Sequence, residues 1–115
     1  MSRLIDRLRE AKEGSEELSA EVWRALCWRD HAREIALGSP LTESLDAAVS
    51  LCERVIPNFL RWTAGGGGRE DFAYVEWRRF INADDWDRVT SPVAYAATAP
   101  LSLCLAVLLA KGEGE

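Results

Sequence analysis

The sequence predicts an α+β fold, a small antiparallel sheet of about three strands packed with helices in an α-β-α sandwich-like arrangement. Three observations carry this expectation. Leu41-Thr42-Glu43-Ser44-Leu45-Asp46-Ala47-Ala48 opens an amphipathic helix with a capping hydroxyl and acidic residues in its first turn. Ala96-Ala97-Thr98-Ala99-Pro100-Leu101-Ser102-Leu103-Cys104-Leu105-Ala106 opens a helix that is apolar nearly all round, which must be buried. Between them, residues 72–80 are rich in aromatic and β-branched side chains, the composition of a strand.

Each element has its own local reason. Leu4, Ile5, Leu8 and Ala11 recur at helical spacing and predict a short first helix that Gly14 interrupts. Ser15 caps a second helix through about residue 26, with Glu16 and Glu17 placed favourably against its dipole. Leu18, Val22, Trp23 and Leu26 form its apolar face. Residues 28–40 lack periodicity, and Gly38-Ser39-Pro40 reads as a turn. Thr42 then caps a helix whose face is Leu45, Ala48, Val49, Cys52 and Val55, ended by Pro57. Residues 59–64 predict a strand, the glycine run 65–68 a hairpin loop, and residues 72–80 the next strand. Residues 82–87 are polar and turn-like, and residues 89–96 predict a last short strand broken or edged by Pro92. Thr98 caps the final helix, and Pro100 stands in its first turn, where a missing N–H costs nothing.

At 115 residues the chain has the length of one domain, residues 1–115, with a helical segment over 1–40 and a helix–strands–helix core over 41–115. Apolar residues (48%) and charged residues (29%) stand in the proportions of a globular protein rather than a disordered one. A net charge of -5 argues against general nucleic-acid binding, which needs a basic footprint, but leaves room for a local basic site. Three cysteines without C-x-x-C spacing argue against a disulfide framework or a zinc site, and fit a reducing compartment. The apolar run 99–110 is too short to span a bilayer, which takes about 20 residues. The charged residues over 3–13 are unlike a signal peptide. No membrane association, metal or cofactor is expected.

Candidate chemistry is confined to rings and arginines. Of five tryptophans, Trp23 and Trp77 suit a core, whereas Trp28, Trp62 and Trp86 lie in more polar surroundings and suit base stacking. Arg78 and Arg79 follow Trp77 in a strand and therefore point to opposite faces. Arg61 and Arg69 flank the glycine run, and guanidinium groups suit phosphate. That run is no P-loop, because no Lys-Ser/Thr and no helix follow it. Asn82, Asp84, Asp85 and Asp87 make a polar turn without the spacing of a calcium loop. His31 is the only histidine, four residues from Cys27 and next to Asp30, and no metal set can be assembled around it. Glu76 lacks an evident partner for acid–base work. Ser44 and Ser102 read as helix residues, and no G-x-S-x-G is present.

The order of these segments resembles the phage ABA sandwich domain family of small tailed-phage and prophage proteins. The likeness is carried by Thr42-Glu43-Ser44-Leu45-Asp46-Ala47-Ala48 and by the 96–106 segment, and extends to Leu4-Ile5-Asp6-Arg7-Leu8-Arg9-Glu10-Ala11 and Glu17-Leu18-Ser19-Ala20-Glu21-Val22. Thr98-Ala99-Pro100 is one residue longer than the usual Thr-Pro of that family, and residues 28–40 and 65–68 take no part in the likeness. The resemblance implies a sheet between helices and a phage or prophage protein acting in the cytoplasm of an infected or lysogenic bacterium. It transfers no catalytic residue.

These readings converge on a non-catalytic binding protein, expected to be a homo-oligomer because a second copy covers short sheet edges. The expected ligand is a nucleotide-like small molecule. In the phage context it would be an immune signal such as a cyclic ADP-ribose isomer or a cyclic oligonucleotide, held by a counter-defence sponge. Trp28, Trp62, Trp77, Arg78, Arg79 and Trp86 are the expected ligand-binding residues. The competing expectations are a protein-interaction module using exposed aromatics, and a metal-dependent hydrolase using Asp84, Asp85, Asp87 or Glu76.

Overall fold

The structure is a computed structural model that describes residues 3–27, 41–56, 58–66 and 70–110. Its elements run α1 (Arg3–Glu10), α2 (Glu16–Cys27), α3 (Leu45–Val55), β1 (Phe59–Gly65), β2 (Asp71–Asn82), β3 (Asp85–Thr90), β4 (Ala94–Ala96) and α4 (Ala99–Ala110). The fold is α+β, with helices packed on a small antiparallel sheet.

The N-terminal helices form where their caps and apolar spacing direct. Ile5 and Leu8 of α1 are buried, and Arg7 ion-pairs with Glu21 to join α1 to α2. Ser15 caps α2, its Oγ accepting from Leu18 N at 3.1 Å. Leu18, Val22 and Trp23 are buried as the helical period requires.

Thr42 does not cap α3. Ser44 does, in extended backbone, with its Oγ accepting from Ala47 N at 3.3 Å. Thr42 is fully buried and engaged elsewhere. Its Oγ1 accepts from Ser15 N at 3.0 Å and donates to Ser15 O at 2.9 Å. With that proton committed, Ser19 Oγ–H donates to Thr42 Oγ1 at 2.9 Å, while Ser19 Oγ accepts from Thr42 N at 3.0 Å. A hydroxyl so occupied cannot also serve a helix N-terminus, so the helix starts two residues later.

The last helix is the centre of the molecule. Thr98 caps it, its Oγ1 accepting from Leu101 N at 3.4 Å, and Pro100 sits in the first turn. Residues 101–108 are all buried. Ser102 is tolerated there because its hydroxyl bonds back to Thr98 O at 3.1 Å or Ala99 O at 3.0 Å. Cys104 Sγ donates to Leu41 O at 3.3 Å.

β2 lies in the middle of the sheet, with β1 along one edge and β3 and β4 in succession along the other. The sheet thus has four strands rather than three, because the expected 89–96 strand is two strands separated at residues 91–93. The register slips by one residue across the break, from Glu76↔Thr90 to Ala73↔Ala94. Ser91 repairs the ladder there. Its N donates to Val75 O at 2.9 Å, and its Oγ accepts from Val75 N at 3.0 Å. The polar segment 82–87 is a turn only at 83–84, where Asn82 Oδ1 accepts from Asp84 N at 3.0 Å, and β3 resumes at Asp85.

The inner face of the sheet presents Ala73, Val75, Ala94 and Ala96, which join α4 and the buried residues of α1, α2 and α3 in one apolar cluster. α4 packs on the sheet and the other three helices pack on α4, with α1 also reaching β4 and α3 reaching β1. No helix among the described residues is long and apolar enough to cross a membrane.

Candidate functional site

Strand alternation gives the sheet a second face, turned away from the apolar cluster. On β2 this face carries Phe72, Tyr74, Glu76, Arg78 and Phe80, since Ala73 and Val75 point into the core. The register sets their neighbours. Gly65 and Tyr95 flank Phe72, and Thr63 stands beside Tyr74. Arg61 and Thr90 flank Glu76, Arg88 stands beside Arg78, and Trp86 beside Phe80. Aromatic rings thus occupy both ends of the face, with arginines between them.

This face is open. Trp86 is 40% exposed, Phe80 49% and Tyr95 55%. The β2–β3 hairpin runs past the core, and residues 78–82 and 85–88 are exposed on both of its faces. At the other end Phe72 reaches across to β1: a Cβ on Gly65 would come within 2.8 Å of its ring, so a glycine there leaves the ring room.

Its electrostatics are local and positive. Glu76 is 7% exposed and sits between Arg61 Nε at 3.5 Å and Arg88 Nε at 3.6 Å, one on each carboxylate oxygen. The Arg78 guanidinium lies 5.0 Å from the centre of the Trp86 ring, in cation–π range. Arg61, Arg78 and Arg88 against Glu76 leave a surplus of positive charge on one face of a chain whose net charge is -5.

The expected ligand-binding residues divide between the two faces. Arg78 and Trp86 come together on the open face. Arg79 points the other way, as alternation requires, and pairs with Asp87 at 2.9 Å. Trp62 and Trp77 are half-buried against the core, opposite Val75 and Val89. Trp28 lies outside the described residues, as do His31 and Arg69. Sequence reasoning missed Phe72, Tyr74, Tyr95 and Arg88 as members of this face. The alternation Trp86-x-Arg88-x-Thr90 was the available signal, concealed because residues 82–87 read as a turn.

The acidic residues of the hairpin do not converge. Asp87 is taken up by Arg79, and Asn82 by the turn. Among the described residues no group of three or more His, Cys, Asp or Glu could hold a metal ion. Ser44 and Ser102 cap and back-bond their helices. Cys52 and Cys104 are buried free thiols; burial pushes Cys52 up to about 12 and raises Cys104 as well, which keeps both inert as nucleophiles.

No family model, curated protein or solved structure matches the chain. The likeness to phage ABA sandwich proteins therefore rests on the residues quoted for it, and the site is read from its own geometry.

Proposed function

We propose that the protein is a non-catalytic binding protein whose open sheet face holds a nucleotide. The observation that carries this reading is the Arg78–Trp86 pair, with Arg88 and Arg61 beside it on the same face. An exposed ring accepts a base by stacking, and guanidinium groups accept phosphate oxygens through paired N–H donors. Glu76 keeps Arg61 and Arg88 upright on the sheet and lowers the field they project.

The likeness to small phage proteins supplies the finer part of the proposal. The ligand is then an immune signal such as a cyclic ADP-ribose isomer or a cyclic oligonucleotide, and the protein is a homo-oligomeric sponge in the bacterial cytoplasm. The test is a thermal-shift screen of the pure protein against cyclic and linear nucleotides, with the ligand recovered after heat denaturation. The proposal expects a shift of several degrees, since a ligand bound to the native state raises its stability. It also expects the ligand back unaltered and the shift lost in Trp86→Ala and Arg78→Ala. No shift with any nucleotide contradicts it, and an altered ligand makes the protein an enzyme.

A second reading has its own observation. Ile81 is 60% exposed on the hairpin beside Phe80 and Trp86, which suits docking on a protein. It predicts a stable complex in pull-downs that Ile81→Asp abolishes.

A further inference from the structure

We infer that the ligand of the open face is an extended single strand of nucleic acid rather than a compact nucleotide. This rests on the reading of the open face as a nucleotide-binding surface, and it puts a linear strand in place of the cyclic signal that the likeness to phage proteins suggests.

The first argument is shape. A small ligand is held by enclosing most of its surface in a concave pocket. Here the stacking ring and the arginines stand on a sheet surface with side chains about half exposed: Trp86 at 40%, Arg61 at 58% and Arg88 at 51%. A flat face encloses little of a single nucleotide. A strand lying along it gains contacts in proportion to its length.

The second argument is order and distance. Phe72 and Tyr95 mark one end of the face, and Phe80 and Trp86 mark the other. Phe72 and Phe80 are eight residues apart on β2, and at ~3.3 Å per residue they are separated by about 26 Å. Phosphates of a stacked strand recur every ~3.4 Å and of a stretched strand at roughly twice that, so the face takes between about four and eight nucleotides. Rings at both ends with arginines between them match the alternation of bases and phosphates along a strand. A mononucleotide reaches one end alone.

The third argument is strandedness and charge. In a duplex the base faces are already stacked, so exposed rings have nothing to grip, whereas an unpaired strand offers them. The net charge of -5 disfavours a long polyanion wrapping the molecule. The local excess of Arg61, Arg78 and Arg88 over Glu76 gives a short strand one favourable track.

The experiment is fluorescence anisotropy with labelled oligothymidylates and oligouridylates of one to ten residues. The expected result is affinity that climbs with length and levels off between about four and eight residues, with a log–log salt slope of about -2 for three arginines on a single strand. Trp86→Ala and Tyr95→Ala, at opposite ends of the face, are each expected to weaken an eight-residue oligomer at least about fivefold. Both positions are exposed, and circular dichroism checks that each variant is folded. With the base held constant, oligouridylate against oligodeoxyuridylate, a preference for ribose assigns the strand as RNA, and equal affinity assigns a sugar-blind platform. Thymidine monophosphate or a cyclic nucleotide binding as tightly as the longest oligomer overturns this inference and leaves the nucleotide reading standing. Absence of binding by every member overturns both. Self-association that Trp86→Ala abolishes, with no nucleotide bound, shows that a second copy covers the face and also overturns both.

Discussion

Thr42 joins two pieces of chain through one hydroxyl and one amide, holding Ser15 and Ser19 at the start of α2 against the approach to α3. Gly14 permits this contact, since a Cβ there would lie 1.8 Å from Thr42 O. Thr42→Val keeps the shape and strands buried polar partners, so it is expected to cost about 2–4 kcal/mol in a urea titration. Thr42 was legible as a helix-proximal hydroxyl but not as a tertiary partner, because a cap and a long-range acceptor have the same local sequence. Glu76 shows the same limit. Its partners Arg61 and Arg88 come from two other strands, so nothing near it in the chain announces them. Glu76→Gln removes the charge that offsets these arginines. It is expected to strengthen nucleotide binding several-fold, seen by titration calorimetry, while costing about 1 kcal/mol of stability, since both arginines are well solvated.

At the scale of elements, the helices were the readable part, because caps and the 3.6-residue period are local signals. The all-apolar α4 is legible as buried for a different reason, since it has no polar face to turn to water. The strands were less readable. Asp84, Asp85 and Asp87 gave residues 82–87 the polarity of a turn, yet a ribbon that projects beyond the core is polar because water wets both its faces. The break between β3 and β4 was visible in Pro92, but its repair by Ser91 was not, since that bond depends on Val75 in the neighbouring strand. Ser91→Ala leaves the Val75 amide buried without its side-chain acceptor and is expected to cost about 1–3 kcal/mol. Chemical denaturation reads that cost. Exchange of the Val75 amide, expected to quicken, reads its position.

At the scale of the whole molecule, two properties are set by burial and by charge distribution. The buried thiols make stability depend on pH at the alkaline end. Cys52 has an ordinary value of 9.0 and is pushed up to about 12 by burial, so the native state keeps its proton after the unfolded chain has lost it. That contribution is complete below pH 9 and is lost as pH rises toward 12, at about 1.4 kcal/mol per pH unit for one thiol. Cys52→Ala is expected to flatten this decline between pH 9 and 11, measured as urea midpoints against the parent protein. The charge distribution separates an acidic molecule from one positive, ring-bearing sheet face. Composition reports the sum, and only the register reports the face.

The claim that this open face is the binding surface is tested most directly by the five tryptophan indole N–H signals in a proton–nitrogen correlation spectrum. The protein is titrated with an eight-residue oligothymidylate, and the signals are assigned by single Trp→Phe variants. The account predicts that Trp86 shifts most, while Trp23, 2% exposed in the core, stays in place. A titration that moves other indoles and leaves Trp86 unmoved contradicts it, as does one that moves none.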